Sequence, residues 1–506
     1  MQYGAILNTF YNIWTHSVIF ALFRKIWRPF RRAYDDLAIV KLLRRRDRLQ
    51  ELYEASLFSR IVRAVLNLFC RIVSAICRAL APAAESSLIL RLVRGSKLLS
   101  FEYLFGAFIC LMFVVPHESW NNAYALIAAV AFLLLYLILA GAHRRELIYP
   151  EKLGFPFLLF AMALVLSLLF SQARGDSLRV LSFFVTALIL TYIIAADITD
   201  QKRLSRFLGF IYLSVFLTAV YAILQRALGL VVVNELFTDL TINAGVPSRV
   251  TSTLDNPNNY AEYLVLFLPL CAAFAASRKN GAVSILLLLG LAVPAVALIM
   301  TYSRSGWISM MLAVFVYVWL RNKKLIPVLI VLAVVALPLL PSSVFTRLTS
   351  FITSFIGSGY VDTSAQHRLY LWKGVGYLMK DYGVTGIGLG PESFARLYPR
   401  YGRVSIIEGA YHTQSQYFEL IVELGVLGFV SFIWMILRNI KNCLIESRRA
   451  SGTVYFTLIA CAAAFVGIAF ACVVEYIWFY PRDLFAYFIL LGVSYAAVNI
   501  SSKEKE

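Results

Sequence analysis

From about residue 98 to residue 500, long apolar runs alternate with short polar connectors. An apolar run of about 18 residues or more can cross the hydrocarbon core of a bilayer as a helix. In lipid every backbone N–H needs an internal partner, and a helix supplies one within its own segment. The pattern predicts spans near 99–116, 122–142, 153–171, 178–196, 207–228, 259–277, 281–301, 304–320, 325–341, 416–438, 454–475 and 483–500, twelve in all. The expected fold class is therefore all-α, a polytopic integral membrane protein of about twelve transmembrane helices.

Residues 1–98 follow a different rhythm. Polar positions fall at Ser56, Arg60, Arg63, Asn67, Arg71, Ser74 and Arg78, a mean step of about 3.7 and thus a helical period. Four arginines on one narrow stripe, with Leu, Val, Ile and Phe over most of the remainder, predict a helix lying in the membrane interface rather than crossing it. The run Lys41–Arg48 reads as a headgroup-facing cluster by the same argument. No cleavable signal peptide is expected, because the first apolar stretch, Val18–Phe23, is too short. The domain reading is a basic amphipathic cytoplasmic or interfacial extension over 1–98, a membrane domain over 99–500 and a cytoplasmic tail over 501–506.

Composition agrees: 60% of residues are hydrophobic and 15% charged. The net charge of +19 would suggest nucleic acid until the charges are placed. Residues 1–98 hold 17 Lys/Arg against six Asp/Glu, an excess of 11, with no recognisable nucleic-acid module. Attraction to an anionic membrane surface is the reading adopted, and no nucleic-acid partner is expected. With the N-terminus inside, the predicted inner loops carry 17 basic residues, among them Lys202, Arg203, Arg206, Arg321, Lys323, Lys324 and Arg438. The outer loops other than the longest carry five: Arg174, Arg179, Arg249, Arg304 and Arg482. That bias predicts both termini in the cytoplasm. The seven cysteines, Cys70, Cys77, Cys110, Cys271, Cys443, Cys461 and Cys472, form no CxxC pair and read as small packing residues.

Two predicted outer segments are too long for turns, 229–258 and 342–415. The second is rich in Tyr, Gly and Arg, holds apolar stretches such as Leu369–Leu378, and is expected to fold into helices over the membrane face. At its exit, His412, Gln416, Glu419 and Glu423 are spaced four, three and four, which predicts one helical face. Carboxylates inside a span are costly and usually face a cavity or a partner. An imidazole titrating near neutrality above them is suited to general-base work, although a loop histidine is most often only solvated. Arg249, Arg304 and Arg368 share this predicted side. Guanidinium groups grip phosphate oxygens in a fixed fork, so a diphosphate ligand would need such residues; each could equally be a surface charge. Before the sixth span, Asp255 or Asn256 can cap the helix with Pro257 in its first turn, which accounts for that motif structurally. The run TGIGLG, Thr385–Gly390, has no βαβ setting and reads as a tight outer-surface turn, not a dinucleotide site. Neither metal nor cofactor is expected.

The segments SRVTSTLDNPNNYAEYL, LIMTYSRSGWISM, HRLYLWKGVGYLMKDYGVTGIGLGPESF and YHTQSQYFELIVELGVLGF, in this order, resemble the O-antigen polymerase and ligase superfamily of bacterial membrane glycosyltransferases. The resemblance covers roughly residues 150–500. It implies a multi-pass enzyme of the bacterial cytoplasmic membrane with an extracytoplasmic active site. The donor would be a glycan on a polyprenyl diphosphate, and the acceptor a hydroxyl of a glycan, a lipid or a protein. Residues matching Arg249 and Arg304, joined here by Arg368, would hold the diphosphate, and a histidine at the loop's exit would deprotonate the acceptor. The register departs by two: counting back eleven residues from Gly425, where such families carry the histidine, reaches Gln414 and not His412. His412, Gln414 and Glu419 are therefore the catalytic candidates. The rival class is a transporter of a lipid-linked sugar or small anion, against which stand the lack of an internal repeat and of paired broken helices.

Overall fold

The computed structural model describes residues 48–86, 100–142, 153–231, 249–336, 363–401 and 410–503, with isolated positions between 12 and 25. Most of the basic run at 41–48, the centre of the 229–258 segment and parts of the long loop lie outside the described residues. The helices are α1 Arg48–Ala55, α2 Leu57–Ser86, α3 Phe101–Val114, α4 Asn122–Ala142, α5 Phe155–Leu166 and α6 Arg174–Asp197. Next come α7 Gln201–Ala227, α8 Pro257–Ala276, α9 Gly281–Gly290, α10 Ala292–Met300, α11 Arg304–Arg321 and α12 Ile326–Ala336. The last are α13 Thr363–Tyr382, α14 Pro391–Leu397, α15 Gln416–Ser447, α16 Gly452–Val474 and α17 Pro481–Lys503. No strand occurs among the described residues.

Each of the twelve predicted segments holds a helix, but among the described residues only eight stretches are long and apolar enough to cross a membrane by length and composition. Two, α3 and α5, are shorter apolar helices. At α11, terminal arginines and internal Ser, Gly and Tyr dilute the apolar run, and the described part of α12 ends at Ala336. The expected count of twelve therefore rests on the four segments whose composition is least decisive.

The bundle is centred on α17, α8 and α16, whose apolar windows are 89%, 78% and 72% buried, against 17% for the α9–α10 stretch. Lipid tails are as apolar as leucine, so such helices associate through close packing of small residues and interhelical hydrogen bonds. The sequence of α16 supplies the small residues. Its Gly467 lies so close to the Ser309 carbonyl that an added Cβ would sit 2.6 Å from that oxygen. Thr191 of α6 donates to the Phe488 carbonyl of α17 at 2.9 Å, and Asn439 of α15 donates to Ser494 of α17 at 2.6 Å. Arg203 joins the far ends of α3, α6 and α7 by pairing with Glu102 and Asp197, both at 2.9 Å. The cysteines at 110, 271, 443, 461 and 472 are free and buried, as packing residues would be.

The extension contributes α2, which packs on α4. Leu57, Ile61, Val65, Leu68, Ile72 and Ile76 remain exposed along one helical stripe, and Arg60, Arg63, Arg71 and Arg78 are exposed as well.

Two features around the exit of the long loop differ from the sequence-based expectation. The helix at the loop's exit starts at Gln416, with Ser415 as its extended N-cap, so His412 lies in the preceding loop and not on the helical face. That helix is also interrupted: Gly425 has φ 67° and ψ −172°, a conformation essentially restricted to glycine. The TGIGLG segment docks into this break. The N–H groups of Ile387 and Gly388 donate to the carbonyls of Val422 and Glu423 at 2.8 and 3.2 Å. Residues 386–390 are buried, so the segment is not a surface turn. A Cβ at Gly386 would meet the Glu423 carbonyl at 2.5 Å, and one at Gly425 would collide with that of Val384. Gly425→Ala is expected to destabilise the protein by about 3 kcal/mol or more, seen as a lower unfolding temperature in detergent. An unchanged transition would mean that the break is not needed.

Candidate functional site

The site is assembled from four segments that precede or begin helices. Before α8, the Asn256 side chain accepts the N–H of Asn258 at 2.8 Å, with Pro257 in the first turn, so Asn256 and not Asp255 is the cap. This cap turns the preceding strand of chain back toward the α10–α11 corner. There the N–H of Val250 donates to the Met300 carbonyl at 3.2 Å. Arg249 is 8% exposed; its Nε donates to the Thr301 carbonyl at 2.7 Å and its Nη2 to Asn258 Oδ1 at 2.5 Å. At the same corner Ser303 caps α11 by accepting the Gly306 N–H, and Arg304 is the helix's first residue. The sequence places Arg249 and Arg304 55 residues apart, and the fold brings their motifs into contact.

The long loop returns over this corner through α13. Its inner face, Leu371, Val375 and Leu378, packs with Ile387, Phe394 and Val422 in a small core separate from that of the bundle. This fixes Arg368, whose Nη2 donates to Glu475 Oε1 at 3.1 Å. The same carboxylate oxygen accepts Ser305 Oγ at 3.4 Å. Arg368 and the start of α11 thus meet on one acidic residue, Glu475, which the sequence reading did not single out.

His412 sits against this group. Its ring lies 4.6 Å from the Phe479 ring and 5.7 Å from that of Tyr476, and Trp372 of α13 donates to the neighbouring Thr413 carbonyl at 2.9 Å. Burial first, and then the positive charge of Arg368, push the His412 pKa down from 6.5 to about 4, so the ring is neutral at pH 7. Its Nδ1 accepts the backbone N–H of Gln414 at 3.1 Å. A neutral imidazole accepting at Nδ1 carries its proton on Nε2, so in this geometry the ring offers a donor. Gln414 itself holds φ 55°, a left-handed backbone that aims its N–H at the ring. Glu419, 1% exposed, accepts the Thr413 N–H at 2.6 Å and anchors the loop from below. Glu423 does the same for the glycine segment: its carboxylate accepts the Gly390 N–H at 2.7 Å and the Tyr476 hydroxyl at 3.1 Å.

Four non-glycine residues among those described have positive φ: Ser252, Asp255, Tyr302 and Gln414. All four lie in the segments that build this site. Such conformations cost about 1–3 kcal/mol each and persist where surrounding structure imposes them, often at functional sites. Only local geometry reveals them; the sequence carried no sign, since Tyr302 is a residue type that avoids this region.

The six residues singled out from sequence therefore fall into two groups. Arg249, Arg304, Arg368, His412 and Gln414 belong to segments in mutual contact, and Glu419 holds one of those segments from within α15. The His412 shift has a pH signature. Unfolded chain gains a proton near pH 6.5 that the folded ring refuses until about pH 4, so stability should fall as pH drops through that window and level off below it. Melting temperatures of wild type and His412→Gln between pH 7.5 and pH 4 test this. The variant should lose that part of the slope, and identical slopes would contradict the assignment.

Among curated proteins none gives a significant match to this chain. Residues 285–433 match the family model described as O-antigen ligase. The matched stretch runs from α9 into α15 and contains Arg304, Arg368, His412, Gln414 and Glu419, while Arg249 and Glu475 lie outside it. Over residues 285–433 the chain is similar to the O-antigen ligase family, and its multi-pass apolar helices accord with that likeness.

Proposed function

We propose that the protein is a glycosyltransferase of the bacterial cytoplasmic membrane that moves a glycan from a polyprenyl-diphosphate donor to an acceptor hydroxyl on the outer face. The observation that carries this reading is the convergence of three arginine-bearing segments on the loop of His412, inside and beside the stretch matched to O-antigen ligase. A diphosphate leaving group gathers negative charge as the bond to the anomeric carbon breaks, and guanidinium groups stabilise that charge without a proton transfer. Arg304 and Arg368 are the primary candidates for this contact. Arg249, already bound to Thr301 and Asn258, would combine phosphate contact with holding the two motifs together. His412, protonated on Nε2, would donate to a phosphate or sugar oxygen, and Gln414 and Glu419 would hold its loop in place. The acceptor oxygen would attack the anomeric carbon directly, with the diphosphate departing with the bonding pair.

The excess of basic residues in alternate connectors supports a topology with both termini in the cytoplasm and this site outside. The exposed apolar stripe of α2 with its four arginines supports seating on the anionic inner leaflet. The acceptor class, whether growing polymer, lipid or protein, is set by cavity shape and not by these residues.

Three measurements test the reading. In a producing strain complemented with variants, His412→Ala and Arg304→Lys should each reduce surface-glycan transfer by about 100-fold or more while the protein accumulates normally. Wild-type glycan in both would remove these groups from the chemistry. In the gene deletion, loss of long chains with single units kept indicates polymerisation, and accumulation of full-length lipid-linked polymer indicates ligation. For topology, Tyr411→Cys should react with a membrane-impermeant maleimide on intact cells and Lys503→Cys only after permeabilisation; the reverse pattern would invert the site.

A further inference from the structure

The connector between α16 and α17 contributes no sequence motif, yet its first residue links the separate parts of the site. Glu475 Oε1 accepts from Arg368 Nη2 at 3.1 Å and from Ser305 Oγ at 3.4 Å, and the Glu475 main-chain carbonyl accepts the Gln416 N–H at 3.0 Å. One residue therefore touches α13, the start of α11 and the start of α15. Tyr476, next in the chain, flanks the His412 ring. Both members of the Arg368–Glu475 pair keep 18% side-chain exposure, so the pair is reachable from outside the core.

A transfer of this kind needs a group to accept the acceptor's hydroxyl proton. The His412 Nδ1 lone pair is occupied by the Gln414 N–H. Glu419 and Glu423 are 1% and 2% exposed and hold backbone N–H groups of the loops. Glu475 is the acidic side chain of this neighbourhood that combines exposure with contact to a candidate diphosphate ligand.

We propose that Glu475 is the proton acceptor of the transfer, held by Arg368 in the empty site and released when a diphosphate takes that guanidinium. The proposal rests on the reading of Arg368 as a phosphate-binding residue. A diphosphate carries more charge and more acceptor oxygens than one carboxylate, so it competes effectively for the planar fork. In the step itself the acceptor O–H bond breaks and its proton moves to a Glu475 carboxylate oxygen. The oxygen's electron pair forms the new bond to the anomeric carbon, and the bond from that carbon to the phosphate oxygen breaks with its pair leaving on the diphosphate. Glu475 then returns the proton to water and re-pairs with Arg368. Base and donor site are coupled in this scheme, so the base is freed only when a donor is present.

The test uses full-length protein in nanodiscs, with farnesyl diphosphate as the binding probe, and the complemented strain for glycan transfer normalised to protein amount. Glu475→Gln should lower transfer by about 100-fold or more, while farnesyl diphosphate binds as tightly as to wild type or several-fold more tightly, because its competitor has lost its charge. Glu475→Asp, which keeps the carboxylate on a shorter arm, should restore part of the transfer and serves as the folding control. Arg368→Ala should weaken farnesyl diphosphate binding by about 10-fold or more. Transfer at wild-type level in Glu475→Gln, or an Asp variant no better than the Gln variant, overturns the role of Glu475. So does weaker farnesyl diphosphate binding by Glu475→Gln in parallel with lost transfer, which would mark the carboxylate as structural. Unchanged farnesyl diphosphate binding in Arg368→Ala overturns the reading beneath it instead.

Discussion

A carboxylate carried on a membrane helix must find hydrogen-bond donors, because lipid offers none and the cost of leaving it bare runs to several kcal/mol. Two such groups on α15 find theirs in the extramembrane loops: Glu419 takes the N–H of Thr413 and Glu423 that of Gly390. This requirement works in both directions. It gives each buried carboxyl group a backbone donor, and it pins the His412 loop and the glycine segment onto the bundle with little freedom. The same logic recurs at Asp176 of α6, which accepts the Glu392 N–H at the start of α14. Polar groups that look like liabilities within spans serve as the attachment points of the outer layer, and the candidate site stands on that layer.

The arrangement also explains how a site can be built from segments that are each unremarkable. Arg249 and Arg304 meet because Arg249 bonds to the Thr301 carbonyl, three residues before Arg304. Arg368 reaches the same place because the inner face of α13 has its own apolar core against Val422 and Phe394. His412 is neutral because it is buried beside that arginine. Two of these contacts sit beside backbone turns that the residue type does not favour, at Tyr302 and Gln414. Left-handed backbone at four loop positions is a local expense, tolerated because the surrounding helices fix both ends of each turn.

The helical architecture was legible from sequence because the membrane leaves few alternatives: apolar runs become helices, and each of the twelve stretches holds one. The Asn256 cap and Pro257 start were legible because capping chemistry is local. The four-three-four spacing at His412 misled for a local reason too. Ser415 adopts an extended cap conformation, so the periodicity holds from Gln416 to Glu423 and stops short of the histidine. Glu475 was invisible for the opposite reason. Its partners at 305, 368 and 416 lie 170, 107 and 59 positions away, and no pattern within a window can report such a meeting. The glycine segment was read correctly as unfit for a nucleotide but wrongly as exposed, because three positive-φ glycines suit close docking against a backbone as well as they suit a free turn.

The interruption of α15 at Gly425 divides one long rod into two mechanical parts. Above it, the residues from Gln416 to Leu424 exchange hydrogen bonds with the glycine segment and with the Glu475 connector. Below it, the rod runs on among its neighbours, bonded to α17 through Asn439. The upper piece is thus fastened to the glycine segment and to the Glu475 connector, and it joins its own lower half across the non-helical turn at Gly425. If the layer of loops tilts, that piece can travel with it while the rest of the rod stays still.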